Sequence, residues 1–224
     1  MDAVIAKPTL RKTTEFETPC VSLGKQAAVL SDIYQDGVNI AVWQRRFDQG
    51  FANAVSQYMT ANPTISKSLT VSPANAFEVL DYATDGEAPK ALLEDMVQLV
   101  DMFCYLFELD EVGLRFATLS GAMCPRFHVD QVPCRLVTTY HGAATEWLAN
   151  SSLDRSKLGR GSNGLSDSLS GLYKHESDVQ QLHCGDVALL KGGRWEGNED
   201  KALVHRSPTI DADKPRFIMT LDFG

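Results

Sequence analysis

The stretch Arg216-Phe217-Ile218-Met219-Thr220-Leu221-Asp222-Phe223 alternates with period two. Successive side chains of an extended chain point to opposite faces, so Phe217, Met219, Leu221 and Phe223 share one side. Arg216, Ile218, Thr220 and Asp222 share the other. Working back from this strand, residues 113–119, 134–140, 186–191 and 202–205 also read as strands, separated by Ser120-Gly121, Gly192-Gly193 and Gly197-Asn198 turns. Further upstream the period lengthens. Residues 90–109 follow Pro89 and carry a broad apolar stripe through Leu92, Met96, Val100, Phe103 and Phe107, the pattern of a helix buried against a sheet. Phe47, Phe51, Val55 and Tyr58/Met59 mark a second helix ending before Asn62-Pro63, and Val38–Trp43, after Asp36-Gly37, reads as a short strand. Helices first and many short strands afterwards predict an α+β fold, N-terminal helices packed on a jelly-roll barrel.

No internal repeat is present. Residues 1–25 are polar and read as an irregular arm; residues 26–224 read as a single domain, helical to about 110 and a barrel from about 113. The barrel is interrupted by a Ser/Gly-rich insertion over 150–171, which reads as a mobile lid.

The chain has 224 residues, 44% of them hydrophobic and 22% charged, the composition of a folded globule. Its 21 Lys and Arg against 29 Asp and Glu give a formal charge of −8, and no local basic cluster offsets it. Nucleic-acid and anionic-membrane partners, which need a basic face, are therefore not expected. The longest apolar stretch, over 96–109, is broken by Gln98, Asp101 and Glu108 and cannot cross a bilayer. No signal-peptide core is seen, and the five cysteines are odd in number and irregular in spacing, so a reducing cytoplasm is expected. A small molecule or a protein remains as the substrate class.

Two polar clusters stand where strand residues should be apolar. In Arg126-Phe127-His128-Val129-Asp130, His128 and Asp130 fall on the same side of an extended chain and can bind one ion as neighbours. In Leu203-Val204-His205-Arg206-Ser207-Pro208 a histidine sits in an apolar strand. Two histidines and one carboxylate make up the facial triad that leaves positions open on non-haem Fe(II). Ten residues separate His205 from Arg216, whose guanidinium could face the same cavity and grip a distal carboxylate.

The pattern His128-x-Asp130 with His205-x10-Arg216 resembles the Fe(II)/2-oxoglutarate-dependent oxygenases, whose barrel is a double-stranded β-helix. The resemblance implies iron held by His128, Asp130 and His205, with Arg216 binding the C5 carboxylate of 2-oxoglutarate. Many of these enzymes carry Ser or Thr two residues after the arginine, where this sequence has Ile218. Alternation sends Arg135 and Tyr140 to opposite faces of their strand, and Tyr140 is the preferred second contact for the co-substrate. Gly185-Asp186 and the following apolar run look like a turn and strand of cupin-like barrels. The blocks 125–130, 139–148 and 185–208 are also similar to a bacterial family, the domain of unknown function 1826, a likeness that implies a link to metal homeostasis and names no reaction.

Two other readings use the same residues. Cys124 and Cys134 bracket His128 and Asp130, and His183-Cys184 follows, so thiolates could hold Zn(II) in a non-catalytic metal-binding protein. Alternatively, His128 and Asp130 form a surface pair, and His205 is a core histidine bonded to a backbone carbonyl.

Overall fold

A computed structural model describes residues 20–211 and 214–224. Chain order gives the strands β1 (Cys20–Gly24), β2 (Val38–Trp43), β3 (Ser66–Val71), β4 (Val112–Leu119), β5 (Cys134–His141), β6 (Glu146–Leu148), β7 (Val179–Gln181), β8 (Val187–Lys191), β9 (Val204–Arg206) and β10 (Arg216–Phe223). Three α-helices lie among them: α1 (Gln49–Ala61), α2 (Ala76–Ala83) and α3 (Lys90–Phe107). Asp48 caps α1 by accepting the Phe51 N–H at 2.8 Å. Glu108, in the left-handed region at φ 53°, ends α3 and returns its N–H to the Cys104 carbonyl.

Seven strands form one sheet in the order β1-β2-β8-β5-β10-β4-β3, antiparallel except for the β1–β2 pair. Three more form a small antiparallel sheet, β7-β6-β9. The His128 segment extends that sheet past β9: His128 and His205 exchange both backbone hydrogen bonds, each at 3.0 Å.

The period-two pattern of β10 decides how these layers stack. Phe217, Met219 and Leu221 enter a core shared with Val55, Met96, Val100 and Phe103 of α1 and α3. Ile218 enters a second core, with Val137 and Leu190 of the same sheet, Trp147 of the small sheet and Leu203 just before β9. Each fully buried Phe, Leu or Met on the helix side contributes about 1.5–3 kcal/mol, so the register is strongly fixed. The protein is thus a mixed α/β structure, with helices on one face of a large sheet and a small sheet facing the other.

The described residues bear on three expectations. The irregular arm falls outside the described residues up to position 19, and Cys20–Gly24 is an edge strand, paired parallel to β2. The front part is not purely helical, because β1, β2 and β3 all join the large sheet. Residues 150–171 form three short 3-10 turns, and Leu153 and Leu158 pack under them with Leu148, Leu172 and Val204 on the outer face of the small sheet. Arg155 ties these turns down through Asn150 Oδ1 and the Ala202 carbonyl.

Candidate metal centre

His128, Asp130 and His205 meet between the two sheets. One ligand atom from each lies within 4.8 Å of the others, and among the described residues this is the group of His, Cys, Asp and Glu close enough to share an ion. Asp130 Oδ1 is 3.6 Å from His128 Nε2, and Oδ2 is 3.3 Å from His205 Nε2. Adjacent ligands of a six-coordinate ion with bonds near 2.1 Å stand about 3 Å apart, so little motion would bring all three into a shell.

The backbone sets the histidine tautomers. His128 Nδ1 lies 2.9 Å from the Arg126 carbonyl and His205 Nδ1 lies 3.3 Å from the Leu203 carbonyl. A carbonyl can only accept, so in the neutral rings Nδ1 holds the proton and the Nε2 lone pair faces Asp130. Backbone or carboxylate orientation of the distal nitrogen is the usual support of a metal-bound histidine. Burial opposes charge on Asp130, but the two histidine rings and the Arg135 guanidinium beside it outweigh that effect, holding the carboxyl well below its ordinary range. The nearby Asp130 carboxylate also raises His128, against a smaller opposing effect of burial.

Asp130 Oδ2 is buried without an aligned hydrogen bond, although Arg135 Nη1 is 2.8 Å away. A buried carboxylate with one oxygen near each imidazole Nε2 is a donor set that suits a divalent cation. The loop bearing Asp130 is clamped from outside. Gly193 donates its N–H to the Asp130 carbonyl at 2.8 Å, and Gly192 approaches so closely that a Cβ there would stand 2.0 Å from the Val132 carbonyl oxygen.

His128 and His205 line a narrow cavity together with Arg135, Arg216, Ile218 and Thr220. Arg216 is fully buried at the first position of β10. Its Nη2 donates to Thr139 Oγ1 at 3.1 Å and to Thr145 Oγ1 at 2.8 Å, its Nε has no partner, and among the described residues no carboxylate pairs with it. Burial lowers Arg216 from 12.5 to about 10. Arg216, Ile218 and Thr220 of β10 stand here because Phe217, Met219 and Leu221 fill the helix-side core from the opposite face.

Tyr140 is not in this cavity, which corrects the expectation that it assists Arg216. In β5 the residues Leu136 and Tyr140 enter the helix-side core, while Val137 faces the small sheet and Thr139 meets Arg216. The Tyr140 hydroxyl instead donates to Asp95 Oδ2 of α3 at 2.7 Å, and Arg45 binds both oxygens of Asp95. Arg135, on the opposite side, faces the cavity and bridges Asp130 and Asp222, each at 2.8 Å. Alternation separates the two residues correctly; the face occupied by helices could be read only from the partners of β5.

The thiols are not gathered into a ligand set. Cys134 is buried in the helix-side core, and burial pushes its thiol far up. Cys124 is exposed and borders the cavity holding His128 and His205. His183 and Cys184 border a different cavity, with Arg45, Arg46 and Asp186, and burial raises the Cys184 thiol. Thr139 and Thr145 are site residues that the sequence did not signal, since neither belongs to a motif.

Helices over a seven-stranded sheet, a facing three-stranded sheet and a two-histidine, one-aspartate cluster between them define a mixed α/β protein with a candidate metal centre. The chain belongs to the family described as "Protein of unknown function (DUF1826)", which matches residues 24–222. No curated protein matches the sequence. Among solved structures the fold is similar to that of the dioxygenase for auxin oxidation in rice, with 11% identity, 92% of this chain and 83% of that chain covered, and a TM-score of 0.49. It is similar to dioxygenase for auxin oxidation 1 from Arabidopsis thaliana, solved with 2-oxoglutarate, at 10% identity, 92% of each chain and a TM-score of 0.49. HygX from Streptomyces hygroscopicus, solved with nickel and 2-oxoglutarate, matches at 11% identity, 88% of this chain and 85% of that one, with a TM-score of 0.44.

Proposed function

We propose that the protein is a non-haem Fe(II)- and 2-oxoglutarate-dependent oxygenase, its large and small sheets forming the two walls of a double-stranded β-helix. The observation that carries this reading is a pair of buried groups left without aligned partners. Asp130 Oδ2 lies 3.3 Å from His205 Nε2, and Arg216, whose buried Nε has no partner, lines the cavity that both histidines border. One suits a cation and the other an anion, around the same two histidines.

When bound, Fe(II) with 2-oxoglutarate supplies the activation of O2 that oxidises an unreactive C–H bond. The chain's own contribution is orientation. His128 and His205 present neutral Nε2 atoms because their Nδ1 protons are held by carbonyls. Arg135 holds Asp130 Oδ2 at 2.8 Å, fixing the carboxylate beside the histidines. Arg216 grips the distal carboxylate of the 2-oxo acid. Thr145 supports that grip. Its Oγ1 accepts from Arg216, so its O–H remains free to donate to the same carboxylate, and the hydroxyl missing at Ile218 is supplied from another strand connection.

The test is anaerobic reconstitution. Fe(II)-loaded protein should develop a visible metal-to-ligand charge-transfer band on addition of 2-oxoglutarate. His205→Ala should lose the metal, and Cys134→Ala should keep both metal and band. Absence of the band in the loaded wild type removes the co-substrate; metal loss in both variants supports a thiolate zinc site instead.

A further inference from the structure

A second cavity, of about 660 Å³, opens between the His128 segment and the turns of residues 155–167. His128 is a wall of both cavities, so whatever fills the outer one lies against the candidate metal centre. Its lining carries three cations, Arg126, Lys157 and Arg160, and one acid, Asp167. That acid is already engaged: it accepts the Phe127 N–H at 2.9 Å and lies 3.3 Å from Arg206 Nη1. Arg126 Nε is 3.5 Å from the other oxygen of Asp167, and Arg126 Nη2 is fixed by Ser162 Oγ at 3.1 Å and the Leu165 carbonyl at 2.5 Å. Among the described residues neither Lys157 nor Arg160 forms an ion pair; Asp154, near Lys157, is exposed and caps the Ser156 N–H at 3.0 Å. The lining therefore carries a formal excess of two positive charges, in a chain whose total is −8.

We propose that this outer cavity binds the substrate by an anionic group, a carboxylate or a phosphate, on a small molecule. Naming the occupant the substrate rests on the oxygenase reading; the anion site itself does not. The charge decides the chemistry. A concave wall of one sign concentrates its counter-ion, and arginines recognise carboxylate and phosphate through paired hydrogen bonds. The volume decides the size, since it falls within the range of about 300–1,000 Å³ typical of small-molecule sites. Arg126 and the pair Lys157 and Arg160 come from two separate segments, so an anion held between them also joins the turns of 155–167 to the His128 strand. The neutral remainder of the molecule is then presented toward His128, where oxidation would occur.

The test uses the full chain at fixed ionic strength, because the cavity is partly open and its charges are screened by salt. Inorganic phosphate and tricarballylate serve as probes for the two anion sources and erythritol as a neutral control, with binding read by calorimetry. In parallel, 2-oxoglutarate binding is measured on the metal-loaded protein. One or both anions should bind and erythritol should not. The variant Lys157→Ala with Arg160→Ala should weaken anion binding at least about tenfold, Arg160→Lys should weaken it less than the double variant does, and 2-oxoglutarate affinity should be unchanged. An unchanged melting temperature establishes that the double variant is folded. The inference is overturned if no anion binds, if the double variant binds as the wild type does, or if only an acidic peptide binds. Anion binding without any 2-oxoglutarate binding would remove the oxygenase reading and leave the anion site, while the reverse result removes this inference alone.

Discussion

Arg216 shows what a single residue can reveal before any reaction is known. A guanidinium without solvent and without a carboxylate is a cost to the fold, and the fall from 12.5 to about 10 corresponds to about 3 kcal/mol against the charged form at neutral pH. Two threonine hydroxyls offset part of this. Replacing a poorly compensated buried charge by an apolar side chain of similar length is often neutral or stabilising. Arg216→Met should therefore leave thermal stability equal or raise it by about 1–3 kcal/mol, while 2-oxoglutarate affinity falls at least about a hundredfold. Thermal denaturation and equilibrium binding on the same sample check this; a variant that melts at lower temperature yet binds normally while folded would make Arg216 a structural residue. The pairing of His128 with Asp130 is legible from residue order, because a two-residue step on an extended chain fixes a shared side, and His205 stands out as a histidine in an apolar strand. Thr139 and Thr145 were not legible, since a threonine in a strand carries no mark of which partner its hydroxyl will meet.

At the scale of elements, β5 explains both the success and the failure of reading by alternation. The pattern separates Arg135 from Tyr140, but which side faces the helices is a property of the layers, set by β10 and β8 on either side. The register with β10 shifts between Phe217, opposite His141, and Ile218, opposite Thr139, so the extra residue of β5 is Tyr140 itself. The short strands β6 and β7 are the hardest to foresee, because three residues carry too little pattern, whereas β9 lies within the stretch 202–205 whose apolar run reads as a strand. β3 escaped for a different reason: Ser66-Lys67-Ser68-Leu69-Thr70-Val71 is a polar edge strand, largely exposed until Val71. Tyr140 gives this scale its test. Its hydroxyl serves the Arg45–Asp95 pair, and burial keeps it protonated well beyond the ordinary tyrosine range. Tyr140→Phe should cost about 1–2 kcal/mol of stability and leave 2-oxoglutarate affinity unchanged. A loss of affinity with no loss of stability would return Tyr140 to the co-substrate site.

For the whole molecule, the candidate centre couples proton, metal and fold. Without metal, the Asp130 contact raises His128 above 6.5, so the stability it contributes is complete below 6.5 and is lost as pH rises through its folded value. Asp130 is displaced the other way, so its contribution is present above 3.8 and is lost only as the solution becomes strongly acid. The metal-free protein therefore holds this corner of the fold best on the mildly acid side and less well above neutrality. A metal reverses the preference, since it needs both Nε2 lone pairs and must displace the proton that Asp130 favours on His128. The stabilisation by Co(II), used as an air-stable stand-in for Fe(II), should thus be small near about pH 5.5 and grow toward about pH 8. At a hundred times the dissociation constant the gain should approach about 2.7 kcal/mol, or about 5–10 °C in melting temperature for a chain of this size. Melting curves across that range with and without Co(II) measure it directly, and His205→Ala should flatten the difference. A metal-induced rise that is independent of pH, or largest in acid, would mean that the ion is held by groups other than His128 and His205.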